Sequence, residues 1–246
     1  MNKAAAFLAI TLCVGCGGDV TSPPTTTTAT HEPDAVSLAL KPDEGEYLYE
    51  LIIEQRAIGA KTEMSILEIE IKATVTKFDS GRARFEFEVV RADATTGPTR
   101  ERQRPDPQRA ATVRSLRWSS KHDPHGSVVD IAPTEDPERI LDMLGARYGL
   151  FGIVYPTESV QPERAWQATA DGAEWKLSYA ADWLATLEGA ITTPATPDTP
   201  ERSQSVRARI QLGTGMPIEM VGDEALTRPD DEWDSILRHW TLSLIG

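Results

Sequence analysis

The feature that most constrains this chain is a pair of long, strictly alternating segments. Leu67, Ile69, Ile71, Ala73 and Val75 interleave with Glu68, Glu70, Lys72, Thr74 and Thr76, and Ala83, Phe85, Phe87 and Val89 interleave with Arg82, Arg84, Glu86 and Glu88. A period of two places every apolar side chain on one face of a strand and every charged one on the other. Phe78-Asp79-Ser80-Gly81 between them supplies turn chemistry. The pattern predicts two paired strands of about ten residues each, longer than the usual five or six. Strands of that length favour a curved sheet or barrel wall over a compact sandwich.

The same period recurs along the chain. Val36, Leu38 and Leu40 alternate, then Tyr47, Tyr49, Leu51 and Ile53 share a face. Trp175, Leu177 and Tyr179 follow Trp166 at strand spacing, and Val206, Ala208, Ile210 and Leu212 alternate with Arg207, Arg209 and Gln211. Ile218 with Met220, and Trp240, Leu242 and Leu244, complete the series. Pro98, Pro105 and Pro107 predict a loop, followed by strands near Thr112–Ser119 and Ser127–Ile131. Residues 156–163 read as an edge connection and 192–203 as an exposed loop, while 180–192 fits either a strand or a short helix. One helix is predicted, with Asp136 as cap, Pro137 in the first turn, Ile140, Leu141, Met143, Leu144 and Tyr148 as its apolar face, and Gly149 as its stop. About nine strands and one helix define an α+β chain dominated by antiparallel sheet. The expected architecture is a long curved sheet or half-barrel with that helix packed on it, and residues 35–246 form a single domain.

The N-terminus carries a different signal. Met1-Asn2-Lys3 is followed by an uncharged apolar run, Ala4 to Val14. A run of this length suits the apolar region of a signal peptide and falls short of the roughly 20 residues a spanning helix needs. It ends in Leu12-Cys13-Val14-Gly15-Cys16-Gly17-Gly18-Asp19, which resembles the lipobox of bacterial lipoproteins. The resemblance implies a leader of residues 1–15, cleavage before Cys16, diacylation of the Cys16 thiol and acylation of its amino group, with palmitate as an acyl group. Cys13 departs from the pattern at the third position before the cut, where the family usually has leucine. Gly17 stands where aspartate would favour inner-membrane retention, so the outer membrane, facing the periplasm, is the expected address. Two or more acyl chains make membrane attachment durable where one holds only marginally. Residues 16–34, rich in Thr, Pro and Gly, read as a disordered tether able to span on the order of 25 Å, with solvated His31 and a threonine run that is a candidate for glycosylation.

The body also resembles an uncharacterised family of bacterial envelope lipoproteins. Its order of parts is an early paired strand opening at Leu40-Lys41-Pro42-Asp43-Glu44-Gly45, a long hairpin, a helix, and then Pro156, Val160 and Trp166. That resemblance implies no known activity.

Composition narrows the function classes. A formal charge of −13 argues against nucleic-acid binding, which depends on basic surface, and against electrostatic docking on anionic lipid. The 2 cysteines, Cys13 and Cys16, both lie in the leader region, so no thiol chemistry is expected of the body. His122-Asp123-Pro124-His125 has the donor types of a metal site, but proline and the following Gly126 mark it as a surface turn. Asp230-Asp231-Glu232 with Asp234 lacks the alternation and central glycine of a calcium loop and reads as a solvated charge run. No catalytic residue, metal or cofactor is assigned. A hydrolase would need a cleft bringing His122, His125 or His239 beside a serine and a carboxylate, and His239 reads as the outward face of the last strand. The arginines from Arg100 to Arg117 form a solvated loop or a phosphate-binding surface. The 6 tryptophans (Trp118, Trp166, Trp175, Trp183, Trp233 and Trp240) are core residues or the lining of a cavity.

The leading expectation is a membrane-anchored, non-enzymatic domain whose sheet and helix enclose a groove for lipid or another hydrophobic ligand, resembling in architecture the half-barrel lipoprotein carriers. The alternative is a structural or interaction lipoprotein with a filled core that holds an envelope partner. A hydrolase assembled from distant residues stands third. Mass spectrometry of the mature protein should find an N-terminal Cys16 carrying acyl groups; an unmodified Cys16, or a start elsewhere, would end the lipoprotein reading.

Overall fold

The computed structural model describes residues 34–59, 61–77, 81–133, 135–136, 138–167, 173–194, 201–227 and 233–246. The leader, Cys16, the tether and Asp230-Asp231-Glu232 lie outside the described residues. Among those described, the dominant element is one open, curved, antiparallel sheet of 12 strands. In chain order they are β1 (Gly45–Gly59), β2 (Glu63–Lys77), β3 (Ala83–Gly97), the short β4 (Arg104–Pro105), β5 (Arg117–His122), β6 (Val128–Pro133), β7 (Ala165–Gln167), β8 (Glu174–Ala181), β9 (Leu184–Thr193), β10 (Glu201–Gln211), β11 (Pro217–Thr227) and β12 (Trp233–Leu244). Spatially the order is β6-β5-β3-β2-β1-β12-β11-β10-β9-β8-β7, with β4 beside β3. The C-terminal strand β12 thus lies between β1 and β11 and joins the two halves.

The alternation in the sequence becomes the two faces of this sheet. Tyr49, Leu51, Ile53, Leu67, Ile69, Ile71, Phe85 and Phe87 are buried on the inner face. Lys72–Glu46, Arg91–Glu70, Arg117–Glu88, Arg207–Glu188 and Arg209–Glu219 pair across strands on the outer face, each such exposed pair contributing little to stability. His239 is on that outer face too, 2.9 Å from Asp223, as expected of an outward residue on the last strand. Where Glu70–Arg91 and Ile71–Val89 are opposed, Val90 bulges out and inward positions on β3 shift from Val89 to Ala92 and Ala94.

The helices differ from the sequence expectation. The segment read as a helix from Asp136 to Gly149 holds only one turn, α2 (Ile140–Met143). Its N-cap is Arg139, at φ 56°, in place of the expected Asp136, which stands three residues earlier and accepts from the backbone N–H groups of Ile140 and Leu141 at 2.8 and 2.7 Å. It stops early because Gly145 adopts φ +62°, while Ala146 N–H bonds to Leu141 C=O and Gly145 N–H to Asp142 C=O. That is the paired bonding of a Schellman cap, which glycine accommodates without a Cβ penalty. The longest described helix is instead α1 (Pro107–Arg114), inside the region read as loop and strand. Asp106 caps it by accepting from Arg109 N–H at 3.0 Å, Pro107 starts it, and Ala110 and Val113 bury its inner side. The expected strand at Thr112–Ser119 is therefore replaced by this helix and β5. The expected strand over Val36–Leu40 is also absent. Val36 makes an isolated bridge to Val160, Leu40 N–H bonds to Pro124 C=O and Lys41 N–H to Thr214 C=O, so the segment crosses loops while Leu38 and Leu40 enter the core. The loop expected over 192–203 is shorter, since β9 runs to Thr193 and β10 begins at Glu201.

The chain after α2 folds back onto the sheet. Leu150, Phe151, Ile153, Val154 and Tyr155 are buried in the same cluster as the inner face. The Phe151 ring lies 5.1 Å from Tyr49 and 5.7 Å from Phe87, edge to face with both. Its anchoring predicts that Phe151→Ala lowers the unfolding free energy by about 3–5 kcal/mol in urea denaturation; a loss below about 1 kcal/mol would mean that this segment is not part of the cooperative core.

Candidate functional site

The inner face of the sheet is not uniform along its strands. One cross-strand row is wholly apolar: Leu177, Leu187, Ala208, Met220, Leu242, Leu51, Ile69 and Ala92. The next inward row runs Trp175, Gly189, Val206, Gly222, Trp240, Ile53, Leu67 and Ala94. The row after that is polar, with Gln204, Glu224, Arg238, Gln55 and Ser65 directly opposed in turn.

Two glycines make the middle row a trough. A Cβ on Gly222 would come within 2.2 Å of the Trp240 ring, and one on Gly189 within 2.8 Å of the Trp175 ring. Each indole lies across the glycine opposite it, an arrangement that any larger residue would block. Between this floor and the turn after α2 is a partly open cavity of about 240 Å³, walled by Leu144, Gly145, Tyr148, Phe151 and Gly152 on one side and by Trp175, Val206 and Trp240 on the other. Trp175 is 4% exposed and Trp240 1% exposed, and the Nε1–H of each has no hydrogen-bond partner among the described residues. Buried indole N–H groups ordinarily have one.

The polar row forms the cavity's charged end. Glu224, 4% exposed, accepts from Arg238 Nη1 at 3.0 Å and forms an ion pair with Arg202, whose Nε lies 2.7 Å away, so two guanidinium groups share one carboxylate. Arg238 also donates to Gln55 Oε1 at 2.8 Å, and Arg202 to Gln204 Oε1 and the Asp142 carbonyl, both at 2.9 Å. Gln204 Nε2 reaches the Met143 carbonyl at 2.7 Å. These bonds tie α2 to the sheet and hold Arg202 at the cavity wall. Asp142, at the same rim, pairs with Arg139 and Arg147, which hold its carboxyl below the usual range against the opposing effect of burial. Burial is the main cause that raises the nearby Asp136 carboxyl.

The residues singled out in the sequence disperse. His122 sits at the end of β5 and faces the core, 1% exposed, with Nδ1 2.9 Å from the Gly126 carbonyl and Nε2 2.7 Å from Ser120 Oγ. With Nδ1 donating to that carbonyl, Nε2 accepts from the serine hydroxyl. Burial lowers the His122 pKa, disfavouring the charged ring, despite the opposing pull of the Gly126 carbonyl. A serine beside a histidine base is the start of a hydrolase site, but Ser120 is 3% exposed and the Phe85 ring stands edge-on to His122. Its third partner is a carbonyl where a triad has a carboxylate. His125 lies in the turn that follows, where Asp123 accepts from the backbone N–H groups of His125 and Ser127. Among the described residues no three His, Cys, Asp or Glu side chains are placed to hold a metal ion.

Of the arginine-rich stretch, Arg100 pairs with Glu54, Arg109 with Glu138 and Arg117 with Glu88, and Arg114 donates to the Ala92 carbonyl. The tryptophans divide: Trp118 stacks on Phe87 in the core, Trp166 donates to the Val154 carbonyl, Trp175 and Trp240 line the cavity, and Trp183 is 59% exposed between β8 and β9. Arg202, Gln204, Glu224 and Arg238 were not singled out from the sequence. Their only signal there is that they occupy the inward phase of strands whose other inward residues are apolar.

No family model and no curated protein matches the chain. A solved structure of lipovitellin, concerned with lipid–protein interactions in that protein, superposes with a TM-score of 0.55 at 10% identity, over 82% of this chain and 25% of the lipovitellin chain. This chain therefore spans about a quarter of that protein's length, and the likeness is one of fold. A DUF1329 family protein from Desulfovibrio piger ATCC 29098 covers 82% of this chain and 86% of its own at 8% identity, with a TM-score of 0.22, below the level of a common fold.

The shared carboxylate gives a sharp expectation. Glu224→Ala leaves two inward guanidinium groups facing each other and should cost about 3–5 kcal/mol in chemical denaturation, whereas joint replacement of Arg202, Glu224 and Arg238 by Met, Leu and Met should cost far less. Equal losses in the two proteins would show that the charge pairing contributes nothing.

Proposed function

We propose that this chain is a lipid-anchored domain of the bacterial cell envelope that binds a hydrophobic ligand, without catalysing its conversion, in the cavity floored by Trp175, Gly189, Val206, Gly222 and Trp240. The observation that carries the reading is that cavity. The inner face is buried over β1–β3 by the chain's own Phe151 segment, yet a cavity of about 240 Å³, lined by apolar residues and by Asp142, Arg202 and Gln204, stays partly open over β8–β12. Apolar walls with a few fixed polar groups are the usual make-up of a small-molecule site. The fold shared with lipovitellin, a protein described for its lipid interactions, supports the same reading. Acylation of Cys16 would hold the domain at the membrane, the outer membrane being favoured by Gly17, with residues 16–34 as its tether.

The second reading, a structural lipoprotein with a filled core that holds an envelope partner, is favoured by one specific observation: Phe151 and its neighbours already occupy the centre of the inner face. Titration of the full chain with the neutral apolar dye N-phenyl-1-naphthylamine separates the two. Binding should enhance dye fluorescence, and Val206→Phe, which fills the trough between the two glycines, should weaken it about tenfold or more while leaving the circular dichroism spectrum unchanged. Absence of dye binding to the unaltered protein would leave the filled-core reading.

A further inference from the structure

We infer that the tip of the β8–β9 hairpin is a membrane contact, with Trp183 and Tyr179 entering the headgroup level of a neutral, zwitterionic phospholipid surface when the domain is held at a membrane. The inference rests on the lipid-anchored reading above and adds the face by which the domain meets that membrane. It makes no use of the cavity.

The first observation is exposure. Trp183 and Tyr179 are the two most exposed large apolar side chains among the described residues, at 59% and 56%. They stand four residues apart on one hairpin, which the Ala180–Ala185 and Ala181–Leu184 pairs close. Single exposed apolar residues are ordinary on a protein surface. Two aromatic rings with polar handles at one tip are the residue types that settle at a membrane–water boundary.

The second is how the tip is held. The Trp183 carbonyl accepts from Leu212 N–H at 2.8 Å, so the backbone is fixed against the β10–β11 turn while the side chain stays in solvent. Little backbone ordering therefore remains when a surface arrives.

The third is where the chain enters the domain. The same β10–β11 turn receives the segment that follows the tether: Lys41 N–H bonds to the Thr214 carbonyl at 2.7 Å, and a Cβ on Gly215 would come within 2.2 Å of the Ala39 carbonyl oxygen. Asp34, the first described residue, is only five residues from Ala39, at most about 18 Å of extended chain. The hairpin tip and the entry of the chain thus share one end of the sheet, and a membrane that holds Cys16 lies within reach of Trp183. Two rings alone bind a surface weakly, but a flexible tether makes the contact intramolecular, with an effective concentration in the millimolar range.

Charge selects the kind of surface. The chain carries a formal charge of −13, and Asp182 is exposed in the turn between the two aromatic residues. Anionic lipid would repel such a tip, whereas neutral lipid does not.

The test uses the chain from Cys16 onward, which contains every described residue and a single thiol. It is coupled through that thiol to maleimide-bearing phosphatidylcholine vesicles, so the anchor is present whether or not the cell acylates Cys16. Phosphatidylcholine brominated near the top of its acyl chains should quench tryptophan emission in the unaltered protein. Trp183→Phe should lose that quenching and Tyr179→Ser should reduce it, both with an unchanged circular dichroism spectrum, since neither side chain is in the core. No quenching of the unaltered protein, equal quenching in Trp183→Phe, or stronger quenching when phosphatidylglycerol is added overturns the inference; the first of these would leave the aromatic pair to a protein partner. Mass spectrometry of Cys16 decides the anchor separately. Acylation without quenching removes the contact alone, and quenching without acylation removes the anchor while the contact stands as a property of the tip.

Discussion

Everything in this structure depends on one requirement: a single sheet with one apolar face must have that face covered. The strands carry apolar side chains on the inner side and cross-strand ion pairs on the outer side. No second sheet stacks on the inner side among the described residues, so the chain covers it with short pieces taken from several places. Leu38 and Leu40 come from the segment before β1, Val113 from α1, and Ile140 to Tyr155 from the connection between β6 and β7. Apolar burial drives this covering at roughly 25 cal/mol per Å². Irregular pieces can perform it because their backbone groups are satisfied, as when Tyr155 N–H bonds to His125 C=O and Leu40 N–H to Pro124 C=O.

The cover is uneven, and the candidate site follows from that. Over β1–β3 the rings of Phe151, Tyr49, Phe87 and Trp118 fill the space. Over β8–β12 the opposing row contains two glycines, and the space their missing side chains would fill is taken partly by flat indoles and partly by the cavity. One inward row further along, the lining turns from apolar to charged. Burying Arg238 and Glu224 would be costly if either stood alone, and the shared geometry with Arg202 and Gln55 is what makes it tolerable. The same bonds anchor α2, so the group that shapes the cavity's polar end also positions its apolar wall.

The sheet was legible in advance because alternation is a local consequence of strand geometry. The hairpin of β2 and β3, and the inward sets Phe85–Phe87 and Ala208–Ile210, follow from it directly. The helices were misread where two local signals competed. Asp106-Pro107 is the same kind of start as Asp136-Pro137, yet it lies among the prolines that predicted a loop. Ile140 to Tyr148 had helical spacing, yet the helix ends at Met143, where Gly145 at φ +62° closes it before the expected stop at Gly149. The site was hardly legible. Gln204, Glu224 and Arg238 look, one at a time, like solvated residues on a strand, and only their phase against Val206, Gly222 and Trp240 turns them inward.

What the sequence determined alone is therefore the period: which residues share a face, that the sheet is antiparallel and long, and that the body has no thiol chemistry. What only the tertiary structure decided is which strands become neighbours and what lies across from each inward residue. Trp175 and Trp240 are far apart in the chain and belong to one cavity because β9, β10 and β11 carry Gly189, Val206 and Gly222 between them in register. Register is a property of pairs of strands, set by which faces must be buried together, and no single segment contains it.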